Sequence, residues 1–216
     1  MNVIIFLIVF SYIANWGRVK LLIQGIGKEK KVFLPFKNKS FLDKVNKKVR
    51  VNFQIKVQNS PLIYGYSPSV PLKPLFVVSS GAIRYLKENE LEWLVLHEMG
   101  HCIMWHLVKE VFVYMILLLL GSFAVYFLHI NLYFVLSLSL ILGLLWYQIE
   151  RIFEYQADTF SLERIDDPQG MIEANKKMKA RVRSIFYKNV LLTFLFTPHL
   201  TYDQRIAMAT DKLVPK

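Results

Sequence analysis

From Val111 to Ile149 the chain runs for 39 residues without an Asp, Glu, Lys or Arg. Such a run exceeds one bilayer crossing and nearly equals two, since about 20 apolar helical residues span a hydrocarbon core of about 30 Å. Divided at His129-Ile130-Asn131, it predicts two 18-residue helices, Val111–Leu128 and Leu132–Ile149. Each would be about 27 Å long at about 1.5 Å per residue. Asn131 suits the turn, and Trp146 and Tyr147 suit a membrane-interface belt. Composition agrees, with 54% hydrophobic and 20% charged residues, against about 45–50% and about 25% in ordinary soluble domains. That balance excludes a disordered chain, and a lone cysteine, Cys102, excludes an internal disulfide.

Residues Met1 to Gly17 are also uncharged and carry Trp16. They lack the cationic start and the A-x-A site of a cleaved signal, so 1–17 reads as a retained anchor and a third span. Residues 18–110 hold 16 Lys/Arg against 7 Asp/Glu, residues 150–216 hold 11 against 9, and the turn at 129–131 holds none. The positive-inside rule then places both polar segments in the cytoplasm of a multi-pass cell-membrane protein. Arg18, Lys20, Lys28, Lys30 and Lys31 would face anionic headgroups of the lipid bilayer. The net charge of +11 is thereby a matter of topology. No helix-turn-helix, RNP or zinc-finger pattern accompanies it, so a nucleic-acid partner is not expected.

Within 18–110, strict alternation predicts a strand over Val49–Gln58, and Leu62–Tyr66 and Leu75–Ser79 read as shorter strands between prolines. Leu75–Ser79 would form the cleft edge on which an extended substrate adds as a further strand. Asn89 followed by Glu92 resembles a capping box opening a helix. The apolar stretch Val190–Phe196 is too short to span and should pack or dip into the interface.

The predicted helix carries HEMGH, residues 97–101. Residues four apart share a helix face, so His97 and His101 can direct two imidazoles at one zinc ion, with Glu98 beside a water bound to it. Chance would produce H-E-x-x-H in about one of 200 chains of this length and composition. A hydrolytic zinc site takes three protein ligands and keeps a fourth position for water. Glu150, Glu154, Asp158, His129 and His199 are the candidates for the third, and topology removes His129, which sits in the outer turn. An extended HExxHxxGxxH reading fails because Met104 and Leu107 stand where Gly and His are needed. Glu154 and Asp158 are the best placed, four apart on a helix continuing out of the last span.

HEMGH, a membrane hairpin and then EYQAD resemble the membrane zinc metallopeptidase family that includes the HtpX heat-shock protease and the CAAX prenyl proteases. The likeness extends from about Leu62 to Arg205 and includes FVVSSGAIRYLKENELEWLVLHEMGH. It implies an α+β integral membrane protein of gluzincin type, a zincin-like catalytic domain with a small sheet and an HExxH helix. About three transmembrane helices would accompany it, two forming a hairpin (111–149) between the zinc-ligand helices of 18–110 and 150–216. It further implies one Zn2+ per chain held by His97, His101 and Glu154, with Glu98 as general base and Asp158 as the carboxylate orienting a ligand imidazole. His199 and Arg205 stand six apart, as in the family's late motif, although Pro198 precedes the histidine rather than following it. His199 is thereby a candidate oxyanion donor, as are Tyr202 and Arg205. The expected reaction is peptide-bond hydrolysis on protein or peptide substrates, membrane-associated or misfolded. SPLIYGYSPSVPLKPLFVV also resembles the approach segment of BlaR-type regulatory metallopeptidases, which cut a regulator. A metal-binding membrane scaffold is the non-enzymatic rival, and it gives no use for Glu98.

Overall fold

The computed structural model describes residues 2–15, 33–67, 74–181, 193–194 and 197–214. The basic stretch Arg18–Lys31 and most of Val190–Phe196 lie outside the described residues.

The described strands form one sheet ordered β1-β2-β4-β3. Strand β2 (Gln54–Gln58) alternates exposed and buried positions, with Ile55 and Val57 in the core. It pairs in parallel with β4 (Leu75–Ser79) and antiparallel with β1 (Phe33–Pro35). Strand β3 (Gly65–Tyr66) pairs antiparallel with the other side of β4. Strand β4 is therefore internal, and Phe76, Val77 and Val78 are buried as a central strand requires. This corrects the expectation that Leu75–Ser79 forms a cleft edge: both its flanks are already paired, and β3 is the edge on that side.

The strand expected from Val49 starts five residues later, because Val49 closes a helix. In α2 (Lys39–Val49), Phe41, Val45 and Val49 repeat every four residues and face the core. The Asn38 side chain caps it by accepting from Phe41 N at 3.0 Å, and Arg50 ends it in the left-handed region with φ 56°. Asn46 then bonds both backbone groups of Phe53 and steers the chain into β2.

Ser79 Oγ accepts from Ala82 N and opens α3 (Ser80–Tyr85). Helix α4 (Glu88–Ile103) is capped at Lys87, two residues before the expected cap Asn89: Lys87 N donates to Glu90 Oε2 at 2.9 Å. Trp93, Leu96 and Met99 of α4 lie against Phe76, Val78 and Met171 in the core beneath the sheet.

Beyond α4 come α5 (His106–Phe127) and α6 (Leu132–Arg164), joined through His129 at φ 48° and capped by Asn131 Oδ1, which accepts from Phe134 N. Among the described residues these two helices are long and apolar enough to cross a membrane. Only 17% and 28% of their apolar windows are buried, which separates them from the core helices of a soluble protein. Helix α1 (Asn2–Ala14), at 13 residues, is shorter than a crossing and lies against α5 and α6. Phe6 stacks on Phe10 and Phe10 on Tyr114, while Tyr147 Oη donates to the Ile13 carbonyl at 2.8 Å. Gly121 makes this packing possible, since a Cβ there would stand 2.0 Å from the Phe6 ring. Helices α7 (Gln169–Arg181) and α8 (Tyr202–Leu213) close the catalytic side, α8 capped reciprocally by Thr201 and Gln204.

Candidate metal and catalytic site

The lower half of α6 runs beside α4, and Gly100 sets their closeness. A Cβ on Gly100 would meet the Phe160 ring at 3.1 Å and Ala157 Cα at 3.4 Å. On the facing turns, His97 Nε2 and His101 Nε2 stand 3.2 Å apart. Glu154 supplies Oε2 at 3.5 Å from His97 Nε2 and Oε1 at 3.4 Å from His101 Nε2. With one ligand atom taken from each of the three residues, the three atoms lie within 4.8 Å of one another. Atoms bound tetrahedrally about 2.0–2.1 Å from one ion stand about 3.3–3.4 Å apart, close to the 3.2 Å between the imidazoles and the 3.4–3.5 Å from each imidazole to one of the two Glu154 oxygens. Glu150 and His129 lie outside this group.

A ring of buried charge surrounds it. Asp158 Oδ1 sits 2.8 Å from His97 Nδ1, close but poorly directed for a hydrogen bond. Arg205, carried on α8, donates from Nε to Asp158 Oδ2 at 2.7 Å and from Nη2 to Glu154 Oε2 at 2.8 Å. Its guanidinium also lies over the Trp93 ring. His199 Nδ1 stands 3.0 Å from Glu154 Oε2, and the His199 side chain is 47% exposed, at the open side. Asp158, His199 and Arg205 thus gather with His97, His101 and Glu154, and Glu98 lies close enough to feel the charges of His97, Glu154, His199 and Arg205.

These contacts divide the titrations. Burial would lower His97, but the Asp158 and Glu154 carboxylates outweigh it and raise the imidazole to about 10. His101 has no such carboxylate contact through its other nitrogen, and burial lowers it to about 3. Glu154 and Asp158 stay ionised although burial opposes it: His199 and His97 hold Glu154 low, and Arg205 and His97 hold Asp158 low. Burial raises Glu98 to about 7, the range in which a carboxylate both takes and returns a proton near neutrality. His199 is raised, chiefly by Glu154.

Sequence reasoning allows a solvated face or a salt bridge with Arg151 only as the non-catalytic alternative for Glu154 and Asp158. Instead Arg151 Nη2 donates to the carbonyls of Thr193, Phe194 and Thr197, two residues before His199. It missed His106 as a neighbour of the site: His106 Nδ1 stands 3.0 Å from His101 Nδ1.

A largely buried His-His-Glu cluster on two helices, with a second glutamate inside the first motif, fits a metal site and has the donor set that metal-dependent hydrolases use. Residues 46–212 match the peptidase family M48, and the chain belongs to that family. Among solved structures the crystal structure of S. mikatae Ste24p superposes with a TM-score of 0.64 at 16% identity. The match covers 96% of this chain and 62% of that one, so this chain spans under two thirds of its length. No curated protein sequence gives a match. The family expected from HEMGH and EYQAD is therefore the family found, and neither the BlaR-type nor the scaffold reading is favoured.

Proposed function

We propose that this chain is a membrane-embedded zinc metalloendopeptidase that hydrolyses membrane-associated or misfolded proteins at a site facing the cytoplasm. One observation carries the reading: the convergence of ligand atoms from His97, His101 and Glu154 within 4.8 Å, with Glu98 adjacent to His97 in the chain and within reach of its charge and that of Glu154. Two imidazoles and one carboxylate form a donor set typical of catalytic zinc, and His97, His101 and Glu154 would hold such an ion.

A zinc ion held by His97, His101 and Glu154 would supply Lewis-acid chemistry at the scissile carbonyl and would make water acidic enough to attack near neutrality. Glu98 accepts the proton of the attacking water and delivers it to the leaving amine, work suited to its raised pKa. Asp158 holds the His97 ring from behind, so that Nε2 faces the ligand position. Arg205 braces Glu154 and Asp158 together, since its donors are directed at those two carboxylates. Of the remaining candidates, His199 and Tyr202, His199 stands 3.0 Å from Glu154 with its side chain exposed and is the donor assigned to the developing oxyanion.

The exposed apolar flanks of α5 and α6 support a spanning hairpin, with α1 as the third membrane element. Continuity of α6 from the hairpin to Glu154 supports placing the site close to the membrane surface.

Measuring zinc per chain and casein hydrolysis for wild type and Glu98→Gln tests the mechanism. The variant should keep about one zinc and lose activity by roughly 100-fold to 10,000-fold, the usual contribution of general acid–base catalysis. Equal turnover in the two proteins would remove Glu98 from the reaction.

A further inference from the structure

His106 belongs to no part of the machinery described so far, yet it is 1% exposed and pressed against a ligand. On an unbroken helix, residues 101 and 106 would point about 140° apart, at about 3.6 residues per turn. The chain breaks instead. Helix α4 ends at Ile103, Trp105 takes φ 60°, and α5 begins at His106. A left-handed conformation at a bulky residue is strained and persists where the surroundings over-determine it, often at functional sites. Here its result is to turn the His106 ring back under His101.

The hydrogen-bond roles then follow from a single requirement. His101 Nε2 is the atom 3.2 Å from His97 Nε2 and 3.4 Å from Glu154 Oε1, so it must keep its lone pair for the metal. The proton of neutral His101 is consequently on Nδ1, and it points at His106 Nδ1, 3.0 Å away. His106 must accept there and therefore carries its own proton on Nε2. That N–H meets Gln156 Oε1 at 3.0 Å, an acceptor. One assignment satisfies all three groups, and Phe153, stacked on the His106 ring with centroids 4.8 Å apart, holds the ring in place.

We infer that His106, held by Gln156, is a positioning residue that fixes the tautomer and orientation of His101 for metal binding, the neutral counterpart of Asp158 behind His97. The inference rests on the reading of His97, His101 and Glu154 as metal ligands. Partners of this kind behind ligand histidines are worth roughly 10-fold to 100-fold in metal affinity.

The test is chelator competition for Zn2+ with the full chain in detergent, together with the visible spectrum of the Co2+-loaded protein. His106→Phe keeps the ring on Phe153 and removes both hydrogen bonds; His106→Asn restores an acceptor for His101. Zinc affinity should fall roughly 10-fold to 100-fold in the first with an altered Co2+ spectrum, and recover partly in the second. In 15N-labelled wild type, His101 should be protonated at Nδ1. Equal affinity and identical spectra in wild type and His106→Phe would overturn the inference alone. A wild type that binds no Zn2+ would overturn the metal site beneath it. Should circular dichroism show His106→Phe unfolded, Gln156→Leu decides, with weaker Zn2+ binding expected and unchanged binding overturning the inference.

Discussion

Along α6 one continuous helix meets two opposite environments. In its first half Tyr133, Phe134, Leu140 and Ile141 are exposed, and the few buried positions include the small residues Ser139 and Gly143. In its second half Glu154 and Asp158 are 8% and 0% exposed and face the ring of charge around the metal position. Apolar groups outside and small groups inside suit lipid; charges inside, each paired, suit a preorganised site. Because no break separates the halves, whatever fixes the hairpin also fixes the height and rotation of Glu154. A loop between them would have left that ligand free to drift.

The largest effect should come from removing a charge from the second half. Asp158→Ala leaves the buried Arg205 guanidinium with one carboxylate partner and His97 with none behind it. Breaking a buried pair in this way costs about 3–5 kcal/mol. Denaturant unfolding in detergent should show that loss, together with reduced zinc content. A loss under 1 kcal/mol, a threshold below the range for buried pairs, would mean that solvent reaches the cluster.

The first half should answer to the reverse change, a charge added outside. Ile141→Asp places a carboxylate on the exposed apolar face. At the centre of a spanning helix this costs about 2.5–3.5 kcal/mol of insertion. The expected outcome is a smaller membrane-integrated fraction after alkaline extraction of vesicles. Unchanged integration would break the comparison, because in a water-facing hairpin the substitution is harmless.

How much of this could be read beforehand depended on whether the signal was local. The hairpin and the HEMGH face were legible because uncharged length and four-residue spacing are properties of short windows. The α6 carboxylates were legible for the same reason, and one helix does run from the apolar half into the half that carries them. Helix α2 was obscured because Val49 belongs to two periodicities, ending the Phe41, Val45, Val49 stripe just where the alternation into β2 begins. The pairing of β4 on both sides is a matter of sheet order, which the strand sequence does not encode. His106 stands one residue short of the last histidine of an extended zinc motif, so spacing gives it no place at the site. Its contact depends on a left-handed Trp105, and no Gly or Pro marks that break. Arg151 looks like a salt-bridge partner in sequence, yet its carbonyl partners lie more than 40 residues away.

A smaller effect should arise where the two ligand helices touch. Gly100→Ala adds a methyl against Phe160 and Ala157 of α6. Overpacking of this kind costs typically 1–3 kcal/mol, and here it pushes Glu154 away from the two histidines. The signature that separates this from plain destabilisation is weaker zinc binding at temperatures where the protein is fully folded. Thermal loss with unchanged zinc affinity would place the give in the Phe160 ring rather than in the helix.

The smallest effect should come from the rim, where a shared pair of lysines allows burial to be compared directly. Lys44 and Lys48 bridge Glu92, whose side chain is 1% exposed, and Asp166, just past the end of α6 and 60% exposed. The two ammonium groups, Lys48 foremost, hold Asp166 below its ordinary value of 3.8. An acid depressed in the folded state stabilises the fold above its unfolded value and loses that contribution as pH falls through the folded one. Asp166→Asn should therefore cost only about 0.5 kcal/mol near neutrality, as exposed pairs do, with the difference closing below about pH 4 and in high salt. Glu92→Gln should cost several times more, because it leaves two lysines facing a buried neutral group. Equal costs for the two variants would show that the lysines, rather than the burial of the acid, set the strength of the cluster.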